Sequence, residues 1–134
     1  MKARTLVLVV DDEADQLETL RRGLFLLGMD CLTARCFAEA VSQLTGPGGE
    51  RVDLLLTDLS MPGRSGAELI ERARATRPEL PVLVVTGLAL SPEAMAIRAR
   101  GIPFLRKPFT PDQLGAAIEA LLGARQRTNQ GEST

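Results

Sequence analysis

The sequence predicts an α/β fold in which helices cover both faces of a parallel sheet. Short apolar runs rich in Val and Leu alternate five times with stretches that carry apolar residues at helical spacing. The three strongest runs are unbroken, which is typical of strands buried on both faces. Strands that alternate with helices favour parallel pairing through right-handed crossovers.

Five segments are predicted as strands. The strong ones are Thr5–Val10, Asp53–Thr57 and Pro81–Thr86, and the weaker ones are Cys31–Ala34 and Ile102–Leu105. For five such units the natural strand order is 2-1-3-4-5, which places the two weaker strands at the edges. The predicted fold is therefore a flavodoxin-like three-layer sandwich, a five-stranded parallel sheet with five helices.

The first two helices are predicted mainly from apolar spacing. In the first, Leu residues from Leu17 to Leu27 repeat at intervals of three and four, and Gly28 stands where a helix ends. The second runs from about Phe37 to Leu44, and Cys36 stands where a polar cap is expected.

The last three helices have clear start signals. Ser65 and Glu68 have the spacing of a capping box, and Ser91 precedes a proline in the first helical position. The segment 110–113 combines both signals at the start of the fifth helix. These polar starts separate each helix from the strand before it.

The length of 134 residues suits one domain. We expect the domain to span residues 1–124, followed by a disordered polar tail or linker at 125–134. We expect no further domain after the fifth helix, so the chain is expected to be either a stand-alone domain or a piece of a larger protein.

The composition excludes several function classes. The net charge of -1 gives no basic excess for direct nucleic-acid binding, and no apolar run is long enough for a membrane span. We therefore expect a cytoplasmic protein that contacts neither nucleic acid nor membrane. The chain has no His, which removes imidazole chemistry, and its two cysteines are too few for a zinc site. We expect Cys31 and Cys36 to be buried or half-buried thiols.

Polar residues follow four of the five predicted strands. Asp11 and Asp12 follow the first strand, Asp58 the third, Thr86 ends the fourth, and Lys107 follows the fifth. Because ligands bind at the carboxyl ends of parallel strands, these side chains are expected to meet in one crevice.

This set of side chains suits phosphoryl transfer to an aspartate. Carboxylate oxygens favour Mg²⁺, a lysine supplies a point charge, and a threonine hydroxyl can donate to a phosphoryl oxygen. Taken singly, each residue has a simpler explanation as a helix cap, a turn residue or a surface side chain. Their occurrence together at one sheet edge favours a functional site.

Four segments carry a family resemblance. They are VVDDE at Val9–Glu13, TDLSMPGRSG at Thr57–Gly66, VVTG at Val84–Gly87 and FLRKPF at Phe104–Phe109. In this order and spacing the sequence resembles the receiver domains of bacterial response regulators, the CheY-like family of two-component systems. The resemblance covers nearly the whole chain, from about residue 5 to residue 122.

The resemblance implies a role for each residue of the site. Asp58 is expected to be the phosphoacceptor, and Mg²⁺ is expected to be bound by Asp12 directly, by Asp11 through water, by Asp58 and by the backbone carbonyl of Ser60.

Three further residues complete the implied switch. Thr86 and Lys107 are expected to bind the added phosphoryl group, and Phe104 occupies the aromatic position whose rotamer is coupled to phosphorylation. The Lys107–Pro108 peptide bond is expected to be cis.

The resemblance also implies partners. A histidine kinase or a phosphotransfer protein is expected to supply the phosphoryl group, and the phosphorylated form is expected to act on an unidentified effector, with a phosphorylation-dependent dimer as one assembly it allows. The chain is expected not to be an enzyme beyond catalysing its own phosphorylation and dephosphorylation.

Two alternatives stay open. A haloacid-dehalogenase-like phosphatase also uses an aspartate nucleophile, but it needs a second acid where Ser60 stands, and no cap domain fits this length. A receiver-fold interaction module without phosphorylation is marked by loss of Asp58, Lys107 or the acidic pair, and all are present. Phosphate uptake separates the three functions.

Overall fold

A computed structural model describes residues 4–59, 65–87 and 91–133, with side chains described as far as residue 123. The strands are β1 (Leu6–Val10), β2 (Asp30–Ala34), β3 (Leu54–Thr57), β4 (Val82–Thr86) and β5 (Phe104–Arg106). The helices are α1 (Ala14–Leu26), α2 (Phe37–Thr45), α3 (Gly66–Thr76), α4 (Pro92–Ala99) and α5 (Pro111–Ser133), and a 3₁₀ turn at Gly49–Arg51 precedes β3.

The strands form one parallel sheet in the order β2-β1-β3-β4-β5, which confirms the predicted topology. Every residue of β3 and β4 is buried, whereas the edge strands β2 and β5 are partly exposed. The strength of the apolar runs thus correctly indicated which strands are central.

The two faces of the sheet carry separate apolar clusters. Alternate strand residues point to opposite faces, so Leu55 packs with α2, α3 and α4 while Leu56 packs with α1 and α5. The sheet is the middle of three layers, as predicted.

Local side-chain bonds define the helix starts. The hydroxyls of Ser65 and Ser91 accept the backbone N–H groups of Glu68 and Ala94, as the start signals predict. Cys36 makes no capping bond; instead, the carboxylate of Glu39 reaches back to the backbone of residue 35. Gly28 has φ 81°, the left-handed conformation that glycine adopts readily after a helix.

The fifth strand begins two residues later than predicted, at Phe104 instead of Ile102. Ile102 is buried against the apolar core, and Pro103 has no N–H to donate to a neighbouring strand. The carbonyl of Pro103 still accepts the N–H of Val84, so the chain meets β4 just before the strand begins.

The end of the chain is helical in the structure. Helix α5 includes the backbone of residues 125–133, where a disordered tail was expected. Arg and Gln in this segment favour helix, and extending an existing helix is easier than starting one. The division into a domain and a tail stays a prediction.

Both thiols are free, but Cys36 is exposed because the turn that starts α2 opens to solvent, so only Cys31 is half-buried as expected.

No helix within the described ranges combines the length and apolar character needed to cross a membrane.

Candidate functional site

The carboxyl ends of β1, β3 and β5 bring three charged side chains together. The ammonium Nζ of Lys107 lies 3.0 Å from Oδ2 of Asp58 and 3.3 Å from Oδ2 of Asp11. Each of these residues directly follows its strand, and each was predicted to lie at this edge. The sheet therefore places two carboxylates around one ammonium.

Asp11 is held at the end of β1 by bonds on every side. Its backbone N–H donates to the carbonyl of Ala34 over 3.1 Å, which extends the pairing of β1 with β2. Its Oδ1 accepts the N–H of Glu13 over 3.0 Å, and Oδ2 accepts Lys107. Only 2% of the residue is exposed, so the charge of Asp11 depends on these partners.

Asp58 is equally fixed but more accessible. Its N–H donates to the carbonyl of Val10, and the hydroxyl of Thr57 donates to its carbonyl over 2.9 Å. Its side chain is 13% exposed. A rigid backbone and a reachable carboxylate suit a nucleophile.

Gly66 lies against the backbone of Asp58. A Cβ at this position would stand 2.4 Å from the Asp58 carbonyl oxygen, and the N–H of Gly66 donates to the carbonyl of Leu59. The start of α3 therefore approaches the site as closely as a residue without a side chain allows.

Two opposing effects act on Lys107. Partial burial lowers the pKa of the ammonium, whereas its hydrogen bonds and ion pairs with Asp58 and Asp11 raise the pKa. The ion pairs outweigh burial, and the pKa of Lys107 lies above its ordinary value. Lys107 is thus a permanent cation in this site at neutral pH.

Thr86 lies beside Lys107, while Phe104 is half-buried on β5. The N–H of Lys107 donates to the carbonyl of Thr86 over 2.9 Å, and Thr86 is 6% exposed at the end of β4. Phe104 pairs in register with Val84, two residues before Thr86, and packs on the apolar cluster below α4. The guanidinium carbon of Arg98 lies 5.9 Å from the Phe104 ring centroid. The Lys107–Pro108 bond is cis, as expected.

The predicted metal ligands come together only in part. Asp12 is half-buried beside Asp11, and Ser60 lies outside the described residues. In the described part of the chain no three Asp, Glu, Cys or His side chains form a metal-binding group. The ammonium of Lys107 stands where two of the three carboxylates would otherwise converge. Mg²⁺ needs only one or two protein carboxylates besides carbonyls and water, so this hard-oxygen donor set fits it.

One residue at this edge was missed from the sequence. Arg35 directly follows β2, and its Nη2 donates to the backbone carbonyl of Asp12 over 3.4 Å. Its position directly after a strand was the available signal. Arg35 adds a second cation to the sheet edge.

The family comparison covers most of the chain. A family model described as the response regulator receiver domain matches residues 7–119. The chain is 35% identical over 128 residues to the transcriptional regulatory protein PrrA of Mycobacterium tuberculosis, a match covering 95% of this chain and 54% of that protein. It is 32% identical over 130 residues to the transcriptional regulatory protein FixJ of Bradyrhizobium diazoefficiens, covering 95% and 61%. The chain thus spans about half the length of the curated relatives it matches.

Solved structures show the same fold. A response regulator receiver domain protein from Clostridium thermocellum matches with a TM-score of 0.85 and 27% identity, over 92% of this chain and 98% of that one. A response regulator receiver protein from Pseudomonas putida matches with a TM-score of 0.80 and 36% identity, over 90% and 99%.

Proposed function

The chain belongs to the response regulator receiver domain family, and we propose that Asp58 accepts a phosphoryl group in a Mg²⁺-dependent reaction. The observation that carries this proposal is the contact of Asp58 with Lys107 at the strand ends. That contact gives a reachable carboxylate a fixed cationic neighbour, which phosphoryl transfer needs.

The donor is external, since the chain has no His. A histidine kinase or phosphotransfer protein presents a phosphohistidine, and an Asp58 oxygen attacks its phosphorus. The N–P bond breaks, its electron pair returns to the imidazole, and an acyl phosphate remains on Asp58. The chain thereby catalyses only its own modification.

Neighbouring residues balance the charge of this step. Lys107 moves from pairing with a carboxylate to pairing with phosphoryl oxygens, and the Thr86 hydroxyl donates to the same group. Asp11, Asp12, Asp58 and the Ser60 carbonyl would hold Mg²⁺. The cation supplies charge neutralisation at the phosphoryl oxygens when bound.

Phosphorylation then changes an interaction surface. The modification adds about -1.5 to -2 charges at Asp58, which attracts Thr86 and Lys107. A shift of Thr86 opens space toward which Phe104 can turn, and Phe104 lies at the surface of β5 and α4. The downstream effector and a phosphorylation-dependent dimer stay predictions. The match covers 54% of the relative PrrA, so the rest of that protein lies outside the matched part.

Intact-mass spectrometry with acetyl phosphate and Mg²⁺ tests the proposal. We expect one phosphoryl group on the wild type, none on Asp58→Asn, and one on Asp53→Asn. Asp53 is a matched control because it lies at the opposite end of the same strand, where it accepts the N–H of Leu6.

Each other outcome contradicts the proposal in a distinct way. Label on Asp58→Asn means that another residue is the acceptor. Continuous consumption of donor without a stable label indicates a phosphatase. No label on the wild type indicates an interaction module that works without phosphorylation.

A further inference from the structure

Two cations lie among the acidic residues at the carboxyl ends of the strands. The strand order places Arg35 after β2, Asp11 after β1, Asp58 after β3 and Lys107 after β5. The Arg35 guanidinium therefore belongs to the β2 end of this row, whereas the Lys107 ammonium reaches in between the Asp11 and Asp58 carboxylates. The two cations differ in what they already bind.

Lys107 is committed to the site. Its ammonium contacts two carboxylates, and its side chain is only 20% exposed. An incoming phosphoryl group therefore meets Lys107 as part of a cluster in which two carboxylates surround one ammonium. The ammonium gives little attraction over a distance because the negative charges of Asp11 and Asp58 together exceed its own charge.

Arg35 is bound much more loosely. Its described guanidinium contact is the 3.4 Å bond to the Asp12 carbonyl, which is long for a hydrogen bond and uses one of five N–H donors. Among the described residues its guanidinium forms no ion pair, and the contact with the nearby Glu39 carboxylate is made by the backbone N–H of residue 35. The side chain is exposed at the rim of the site.

We propose that Arg35 attracts the dianionic phosphoryl group of the donor and orients it toward Asp58. This inference rests on the proposed function and adds a positioning residue to it. A dianion that approaches three carboxylates is repelled, and a cation at their edge reduces this repulsion. The planar guanidinium also matches two phosphoryl oxygens, and Arg35 can turn to them by giving up one weak bond.

The test measures the second-order rate constant of labelling by acetyl phosphate at saturating Mg²⁺ and varied salt. Arg35→Ala is expected to lower it about three-fold near 0.1 M salt, more at low salt, and to have little effect near 1 M. Arg35→Lys should keep most of the rate because it keeps the charge. Arg51→Ala is the matched control, since this exposed arginine lies before β3 at the opposite edge.

Two further measurements separate direct attraction from indirect effects. Phosphoramidate carries less negative charge than acetyl phosphate, so its rate should fall less in Arg35→Ala. Mg²⁺ affinity measured by calorimetry should be equal or higher in Arg35→Ala, because removing a cation cannot weaken attraction for Mg²⁺. Lower Mg²⁺ affinity in Arg35→Ala would show that the slower labelling results from weaker Mg²⁺ binding, and it would overturn the inference.

The remaining outcomes are also decisive. Equal rates for wild type and Arg35→Ala at low salt, or equal losses in Arg35→Ala and Arg51→Ala, contradict the role of Arg35 while Asp58 labelling stands. A wild type that takes no label contradicts the proposed function and this inference together.

Discussion

At the residue scale, Lys107 contributes both to the stability of the domain and to the proposed chemistry. Asp11 is almost fully buried, and one of its two carboxylate oxygens is bound by Lys107. A buried carboxylate that loses its cation is strongly destabilised, so the same ammonium that can bind a phosphoryl group also stabilises the resting domain. Asp58, on the other side of Lys107, is the more exposed of the two carboxylates.

The raised pKa of Lys107 predicts a loss of stability in alkali. Its contribution is complete below the ordinary value of 10.5 and disappears as pH rises through the higher pKa of the folded state. Lys107→Gln should lower the free energy of unfolding at neutral pH by about 1–3 kcal/mol, because Asp11 stays buried without its cation. Urea unfolding measured from neutral pH into the alkaline range should show that the difference in free energy of unfolding between wild type and Lys107→Gln decreases as pH rises.

Few other groups titrate in that range. The chain has no Tyr, and its other lysine is Lys2. Burial raises the pKa of Cys31 to about 11, which adds a second loss of stability at alkaline pH. That loss is common to wild type and Lys107→Gln, so the difference between the two proteins isolates Lys107. A difference that does not change with pH would contradict the ion-pair explanation.

The location of a site residue was predictable from the sequence where the strand order alone determines it. Asp11, Asp58, Thr86 and Lys107 end parallel strands, and such ends must meet at one edge. The contact of Arg35 with Asp12 was not predictable, because a side chain bound to a backbone carbonyl leaves no pattern in residue types. The position of Lys107 between the carboxylates likewise depends on side-chain geometry.

At the scale of elements, local bonds explain which boundaries the sequence predicts. Thr110 and Gln113 cap α5 reciprocally, with side chain to backbone distances of 2.8 and 3.1 Å, and this motif lies within four residues. The start of β5 was predicted wrongly because it depends on how Ile102 packs and on the missing donor of Pro103. Boundaries set by tertiary packing are not encoded in a short window.

The junction of β3 and α3 gives a sharp prediction about Gly66. Gly66→Ala should lower stability by about 2–3 kcal/mol and slow labelling of Asp58, because its Cβ would press on the Asp58 carbonyl. Gly23→Ala is the control, since the nearest atom to its Cβ is Leu114 Cδ2 at an ordinary 3.8 Å. Ala within α1 should raise stability by about 0.5–1 kcal/mol.

Thermal unfolding and labelling rates of both variants check this prediction. If Gly66→Ala unfolds and labels like the wild type, the close approach of α3 to Asp58 is incorrect. If Gly23→Ala is as unstable as Gly66→Ala, the effect is general to glycine replacement and not specific to the site.

At the scale of the whole molecule, the sheet joins two apolar cores. Leu55 and Leu56 are adjacent in β3, both fully buried, and each belongs to a different core. Unbroken apolar runs predicted that both faces are covered. They could not predict which helix covers which face, because that depends on the crossover direction at each strand.

The shared central strand predicts that the two cores unfold together. Leu55→Ala and Leu56→Ala should each lower the free energy of unfolding by about 2–5 kcal/mol, with one transition in urea. Circular dichroism and urea midpoints provide the measurement. Two separate transitions in either variant would show that the faces are independent, and an effect below about 1 kcal/mol would contradict the burial of that leucine.

The phosphoacceptor itself can be identified by borohydride reduction of the labelled protein followed by peptide mass spectrometry. Borohydride converts an aspartyl phosphate to homoserine and leaves unmodified carboxylates intact. After treatment with acetyl phosphate and Mg²⁺, we predict homoserine at position 58 and Asp retained at positions 11, 12 and 53. Homoserine at any of those three positions, or at none of the four, would contradict the assignment of Asp58.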